Sequence, residues 1–264
     1  MGPSLMLGIR FLVGALGNFL LFWWLERQQE SGLTWVTFRN AAFVGMVLLI
    51  GGTGMVAYAE QTVSSHVAAV IIASMPLWIS LWESLWRKRW VLTTRQMFGM
   101  AMGLAGVALL MSRGETSAWQ MDMIGMGFLV AAMFCWSFAS AYSHLESMPS
   151  TPFLSAAIQM AVGGMVFLAW GGWAGEVNWE AIRGASERSW WATGYLAVFG
   201  STVAFTAFAW LMRVEPPTRV ASYAMVNPLV AILIGAWLGH ETISLFTWLG
   251  LGCVLSGLWL HLRS

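Results

Sequence analysis

The sequence predicts an all-α integral membrane protein, a bundle of nine transmembrane helices, and three observations predict it. Of the 264 residues 58% are hydrophobic and 9% charged, and the mean hydropathy is +0.69, far outside the range of a water-soluble domain. Apolar runs long enough to cross about 30 Å of hydrocarbon recur at about 4–25, 41–59, 63–86, 96–112, 123–143, 152–173, 190–212, 217–238 and 243–262. The 13 basic and 12 acidic residues sit mostly between those runs, so the charges mark loops and the runs mark spans.

The first run, Leu5 to Leu25, is interrupted only by Arg10 and Asn18 and lacks the charged start and cleavage site of a signal peptide, so it stays as a helix. Later runs are bounded by charge or turn residues: the second ends at Glu60, the third at Arg87-Lys88-Arg89, the fourth at Arg113, and the sixth and eighth begin at Pro152 and Pro217. The longest connections, Glu26 to Asn40 and Ala174 to Ser189, are too short to build a core of their own. One set of alternate loops holds nine basic residues (Arg27, Arg39, Arg87, Lys88, Arg89, Arg95, Arg213, Arg219, Arg263) and the other three, Arg113, Arg183 and Arg188. Retention of positive charge inside then places the C-terminus in the cytoplasm. Trp23, Trp24, Trp86, Trp90, Trp190 and Trp191 fall at span ends, where indoles anchor helices at the interface.

A weak internal repeat runs through the chain. Ala57-Tyr58-Ala59 matches Ala207-Phe208-Ala209, Pro76-Leu77 matches Pro228-Leu229, and Gly99 and Gly106 match Gly250 and Gly257. The third run thus corresponds to the eighth, and a separation of five spans gives the two copies opposite orientations, an inverted repeat. The copies are expected at 1–114 and 120–264, the first lacking one helix at its start.

Gly54-Met55-Val56-Ala57-Tyr58-Ala59-Glu60-Gln61-Thr62-Val63 running into Ala73-Ser74-Met75-Pro76-Leu77-Trp78, and Ala221-Ser222-Tyr223-Ala224-Met225-Val226-Asn227-Pro228-Leu229-Val230-Ala231 running into Gly239-His240-Glu241-Thr242, resemble the EamA family of the drug/metabolite transporter (DMT) superfamily. Gly194-Tyr195-Leu196-Ala197-Val198-Phe199-Gly200-Ser201 and Cys135-Trp136-Ser137-Phe138 resemble its YedA-like exporter branch. The resemblance covers almost the whole chain. It implies ten helices in two inverted five-helix repeats in a bacterial-type cytoplasmic (inner) membrane, both termini inside, exporting small metabolites or drugs in exchange for protons or down a gradient. Family members begin with an extra helix ahead of Ser4-Leu5-Met6-Leu7-Gly8-Ile9-Arg10-Phe11, so this chain is expected to be short by one span or to carry a late start.

Candidate transport residues follow. Pro76 and Pro228 lie near the middle of their runs, and each removes an amide donor, freeing the carbonyls of Ile72 and Ala224. They are either hinges facing a central cavity or ordinary kinks satisfied by neighbouring helices, and their pairing in the repeat favours hinges. Tyr223 and Asn227, one turn apart, put a phenol and an amide on one face, for cargo or for interhelical bonding worth about 1 kcal/mol. Gln159 has the same two readings, and the resemblance leads to a carboxylate there, so the amide weakens a proton-relay role. Trp78, Trp136 and Ser74 are candidates for lining a pocket, the indoles also for helix packing. Glu60 and His66 are candidates for proton coupling or simply solvated headgroup-level residues; the resemblance leads to a small residue at His66. Glu83 precedes Arg87 by four and pairs with it at a helix end. Gly99 and Gly103 have a spacing that permits close helix contact.

The net charge of +1 gives no nucleic-acid footprint. There is no His/Cys/Asp cluster at metal spacing, no Ser with a His partner and no phosphate loop, so the sequence predicts neither an enzyme nor a cofactor. The partners expected are a small-molecule substrate, membrane lipid and protons as a coupling ion; oligomeric state is not encoded in any pattern seen. The expected function is export of amino-acid-like or cationic/aromatic solutes by alternating access. The alternatives are a flippase for a lipid-linked molecule and an inactive or structural membrane subunit.

Overall fold

The computed structural model describes residues 1–26, 28, 30–63, 68, 71–90, 92–111, 123–227, 230 and 245–262. Among them the regular elements are all helices: α1 (Pro3–Glu26), α2 (Trp35–Ala59), α3 (Met75–Arg87), α4 (Thr94–Met111), α5 (Met123–Leu145), α6 (Pro152–Trp173), α7 (Trp179–Arg183), α8 (Glu187–Val214), α9 (Pro217–Ala221) and α10 (Leu245–Leu262). By length and composition α1, α2, α5, α6 and α8 can cross a membrane.

Helix α2 starts at Trp35, earlier than the apolar run at 41 suggests, because its polar first turns have partners. Thr34 N–H donates to Thr37 Oγ1 at 2.8 Å while Thr37 N–H donates back to Thr34 Oγ1 at 3.2 Å, a closed capping box. Asn40 Nδ2 donates to Ser147 O at 3.0 Å and Asn40 Oδ1 accepts from Tyr142 Oη at 3.1 Å. Replacing Thr34 by Ala should cost about 1 kcal/mol and raise amide exchange over 35–39 without touching α6, readable by hydrogen exchange in detergent.

The chain divides into two compact units, Met1–Ala57 with Tyr142–Glu215, and Tyr58–Ala141 with Pro216–Ser264. Each draws on both halves of the sequence. In the first unit α1 packs antiparallel on α6. A Cβ on Gly8 would lie 2.5 Å from the Leu168 side chain, and one on Gly164 would lie 2.8 Å from that of Leu12. A larger residue at either position would have to push the facing leucine side chain aside. The two contacts are one contact repeated, because Gly8-Ile9-Arg10-Phe11-Leu12 and Gly164-Met165-Val166-Phe167-Leu168 share the pattern Gly-x-x-Phe-Leu. Exchanging the segments maps Gly8·Leu168 onto Gly164·Leu12 and the Phe11–Phe167 ring contact, at 6.0 Å between centroids, onto itself.

Helices α2 and α8 each widen into a π-helical stretch, Met46–Gly54 and Leu196–Phe205. These stretches fall at matching positions of the repeat that aligns Ala57-Tyr58-Ala59 with Ala207-Phe208-Ala209. Wide turns leave backbone carbonyls under-bonded, and Thr202 Oγ1 donates to Ala197 O at 3.1 Å.

In the second unit α4 packs antiparallel on α10. A Cβ on Gly257 would stand 2.5 Å from Gly99 O and 2.6 Å from Gly103 N, and one on Gly106 would stand 2.8 Å from Gly250 O. Backbone thus rests on backbone, and exchange of Gly99 with Gly250 and of Gly106 with Gly257 again turns one contact into the other. Ala73, Met100, Met225 and Val254 are buried around this seam. Trp23, Trp24, Trp86, Trp90, Trp190 and Trp191 are all exposed, as interfacial anchors must be.

Candidate functional site

The second unit holds a cavity of about 510 Å³ lined by Ile71, Ser74 and Trp78, by Leu104, Ala105 and Ala108 of α4, and by Val130 and Met133 of α5. Its walls are built by a helix break. Residues 71–73 are helical, Ser74 forms a turn and α3 begins at Met75, so Pro76 lies in the first turn of α3 and not in mid-helix as the apolar run suggests. A first-turn proline loses no intrahelical bond, which is why the break falls just ahead of it. The break is closed by Ser74 N–H donating to Ile71 O at 3.1 Å, Ser74 Oγ donating to the same carbonyl at 2.6 Å, and Leu77 N–H donating to Ser74 O at 3.0 Å.

Trp78, one turn on, donates from Nε1 to Ser74 Oγ at 3.2 Å. Its ring lies 4.5 Å from that of Phe134, and Trp82 continues the ladder against Phe138 at 5.2 Å while donating to Ser137 Oγ at 3.1 Å. These contacts fix α3 on α5 and hold the Trp78 indole in the cavity wall. Trp136 packs on the adjoining cluster of Met75, Ile79, Met133 and Ala221; its Nε1 is buried without a hydrogen-bond partner among the described residues.

Ser74 and Trp78 thus share the cavity wall, Trp78 also packing on Phe134, whereas Trp136 packs beside the cavity and does not line it. Tyr223 and Asn227 share a helical segment of the same unit, Tyr223 partly buried and Asn227 exposed, but neither lines this cavity. That segment also breaks, at Ser222, whose Oγ donates to Arg219 O at 2.7 Å as Ser74 does to Ile71. Pro228 and His66 lie outside the described residues. Glu60 sits in the turn after α2, exposed overall, where partial desolvation raises its carboxyl pKa above the usual value. Arg87 Nη2 lies 3.7 Å from Glu83 Oε1, the helix-end pair the spacing predicts.

Gln159 belongs to the first unit, buried, its Nε2 donating to Ser155 Oγ at 3.0 Å. It borders a pocket of about 20 Å³ with Ser143, Ser155 and Arg213, room for one water molecule and no organic solute. The same unit contains a polar seam that apolar-run reading passes over. Arg10 Nε donates to Ser201 Oγ at 3.0 Å. Asn18 is fully buried, donating from Nδ2 to Gly14 O at 2.9 Å and accepting at Oδ1 from Thr206 Oγ1. The signal available in the sequence was the pair of polar residues, Arg10 and Asn18, inside an otherwise apolar span.

The fold is shared with a solved crystal structure at a TM-score of 0.79, 15% identity, covering 98% of this chain and 87% of the other. The chain is 37% identical over 256 residues to the uncharacterized inner membrane transporter YedA of Escherichia coli (strain K12), covering 96% of this chain and 79% of that protein. It is 21% identical over 262 residues to the uncharacterized transporter YoaV of Bacillus subtilis (strain 168), covering 98% and 87%. The EamA-like transporter family matches residues 1–112 and 123–263, and with those glycine-seamed apolar helices in view the chain belongs to that family of membrane transporters.

Proposed function

We propose that this chain is a secondary transporter that exports small organic solutes, amino-acid-like or cationic/aromatic, by alternating access across a bacterial-type cytoplasmic membrane, with its C-terminus inside. The observation that carries the reading is the pairing of irregular helices. The π-helical stretches Met46–Gly54 and Leu196–Phe205 recur at matching positions of the two halves, and the matched third and eighth runs each carry a serine-closed break, at Ser74 and Ser222, the second a few residues ahead of the position that matches Ser74. Reciprocal antiparallel glycine contacts join α1 to α6 and α4 to α10. Such symmetry supports an inverted repeat of nine helices in this chain, with copies at 1–114 and 120–264. Broken helices in corresponding positions are where such folds bind cargo and bend.

The cavity beside the Ser74 break offers an indole face, one serine hydroxyl and apolar walls, suited to an aromatic or aliphatic solute with few polar groups. Asn227, Tyr223 and Gln159 are proposed as polar contacts along the pathway, Pro76 and Pro228 as hinges, and Glu60 with His66 as the proton-coupling pair. The raised carboxyl pKa of Glu60 brings its titration closer to neutral pH, as exchange with protons requires. A flippase for a lipid-linked molecule is the second reading, favoured by exposure of the cavity-wall residues Ala105, Ala108 and Val130, which would admit a chain from the side.

The test is efflux of labelled amino acids and cationic aromatic drugs from proteoliposomes, with and without a proton gradient. Efflux should require the protein, quicken with an opposing proton gradient, and fall at least fivefold in Asn227→Ala. No efflux of any solute, with lipid-linked probes scrambled instead, would replace the exporter by the flippase.

A further inference from the structure

Arg10 lies in α1 roughly 10 Å from the start of a helix about 36 Å long at 1.5 Å per residue, inside the hydrocarbon region. A cation there normally extends towards the nearer interface. The nearer interface is at the start of the helix, where Ser4 N–H donates to Glu176 Oε2 at 3.2 Å and Met1 Sδ accepts from Thr193 Oγ1 at 3.6 Å. The guanidinium does not go there. Its Nε is tied to Ser201 Oγ, which lies eight residues past Thr193 on α8, roughly 10 Å deeper.

The seat is built for it. A Cβ on Gly200 would stand 3.0 Å from Arg10 Nη2, so the glycine leaves room for the guanidinium against the π-helical turn. The Phe11 ring lies 5.3 Å from the guanidinium carbon, a cation–π contact. A guanidinium has five N–H donors, and among the described residues one is used and no carboxylate pairs with the charge. An intramembrane cation held inward, with most of its donors unspent, has the chemistry of an oxyanion receptor.

We propose that Arg10, seated on Gly200 and aimed by Ser201, binds the carboxylate of a small organic acid within the membrane, so that an amino-acid-like cargo is held by its acid group. Calling this ligand a cargo rests on the exporter reading; the binding itself does not. Headgroup phosphates stay at the interface, roughly 10 Å from the Nε–Ser201 bond, and are not the occupant.

The experiment is equilibrium binding to the full chain in phosphatidylcholine nanodiscs, read by tryptophan fluorescence, with phenylacetate and octanoate against phenylacetamide and octanamide. At least one acid should bind at least tenfold more tightly than its amide. Arg10→Gln should abolish that preference, Arg10→Lys should retain part of it, and Ser201→Ala should weaken it without abolishing it. Should Arg10→Gln fail to insert, Gly200→Val, which fills the seat and keeps the charge, should produce the same loss. Equal affinity for acid and amide, no binding of either acid, or an acid preference that survives in folded Arg10→Gln would overturn the proposal. Efflux of the same four compounds from proteoliposomes separates the two readings: Arg10-dependent binding without efflux removes the exporter and leaves the anion site, and efflux indifferent to charge does the reverse.

Discussion

Gly257→Leu is expected to take the α4–α10 pair apart. A Cβ at that position already stands 2.5 Å from Gly99 O, and the atom in its way belongs to a helix backbone, which cannot swing aside as a side chain does. Overpacking in a dense interior costs about 1–3 kcal/mol, and an isobutyl group driven between two helix backbones should reach the upper end or exceed it. The protein should lose its cooperative thermal transition in detergent, or show it strongly lowered. Gly252→Leu in the same helix is the control, since a Cβ there meets nothing within 4 Å, and its transition should stay close to that of the unmodified chain. If both variants melt alike, the close seam is not what holds α10.

The second large effect is expected at Trp78. Replacing it by Ala removes the cavity-wall indole, the 4.5 Å contact with Phe134 and the bond to Ser74 Oγ, while Trp82 still ties α3 to α5 through Ser137 and Phe138. The aromatic pair contributes about 0.5–1.5 kcal/mol, so the chain should remain folded. Efflux of aromatic solutes should fall more than tenfold, because the face that orients them is gone. Trp78→Phe keeps the ring and loses the N–H, and should recover most of the rate. An Ala variant that transports normally would assign Trp78 to packing alone.

Membrane residence and helical class are legible in the sequence because hydrocarbon selects composition over lengths set by bilayer thickness, and no tertiary detail is needed to see runs of apolar residues. Helix ends are less legible. Thr34, Thr37 and Asn40 read as loop by polarity, yet a capping box and a bond to Ser147 O carry them as helix, and only the folded partner shows this. The break at Ser74 was displaced from Pro76 in the same way, since a proline marks a turn nearby without fixing which residue makes it. Ser74 and Trp78 lie four residues apart and meet across the local break, whereas Arg10 and Ser201 are 191 residues apart and no local pattern joins them. The Gly-x-x-Phe-Leu repeat at 8–12 and 164–168 was present in the sequence, but its meaning rests on the antiparallel approach of the two segments.

Both glycine seams join an element of the first half of the chain to one of the second, α1 to α6 and α4 to α10. During synthesis the first half therefore reaches the bilayer with its smooth faces bare, since the helices that cover them have not yet been made. Those faces offer lipid little side-chain contact, so their packing waits for the later helices that cover them. Expressed as separate pieces, the two family-matched stretches 1–112 and 123–263 should then find each other in the membrane, while either piece alone should stay unassembled and be degraded.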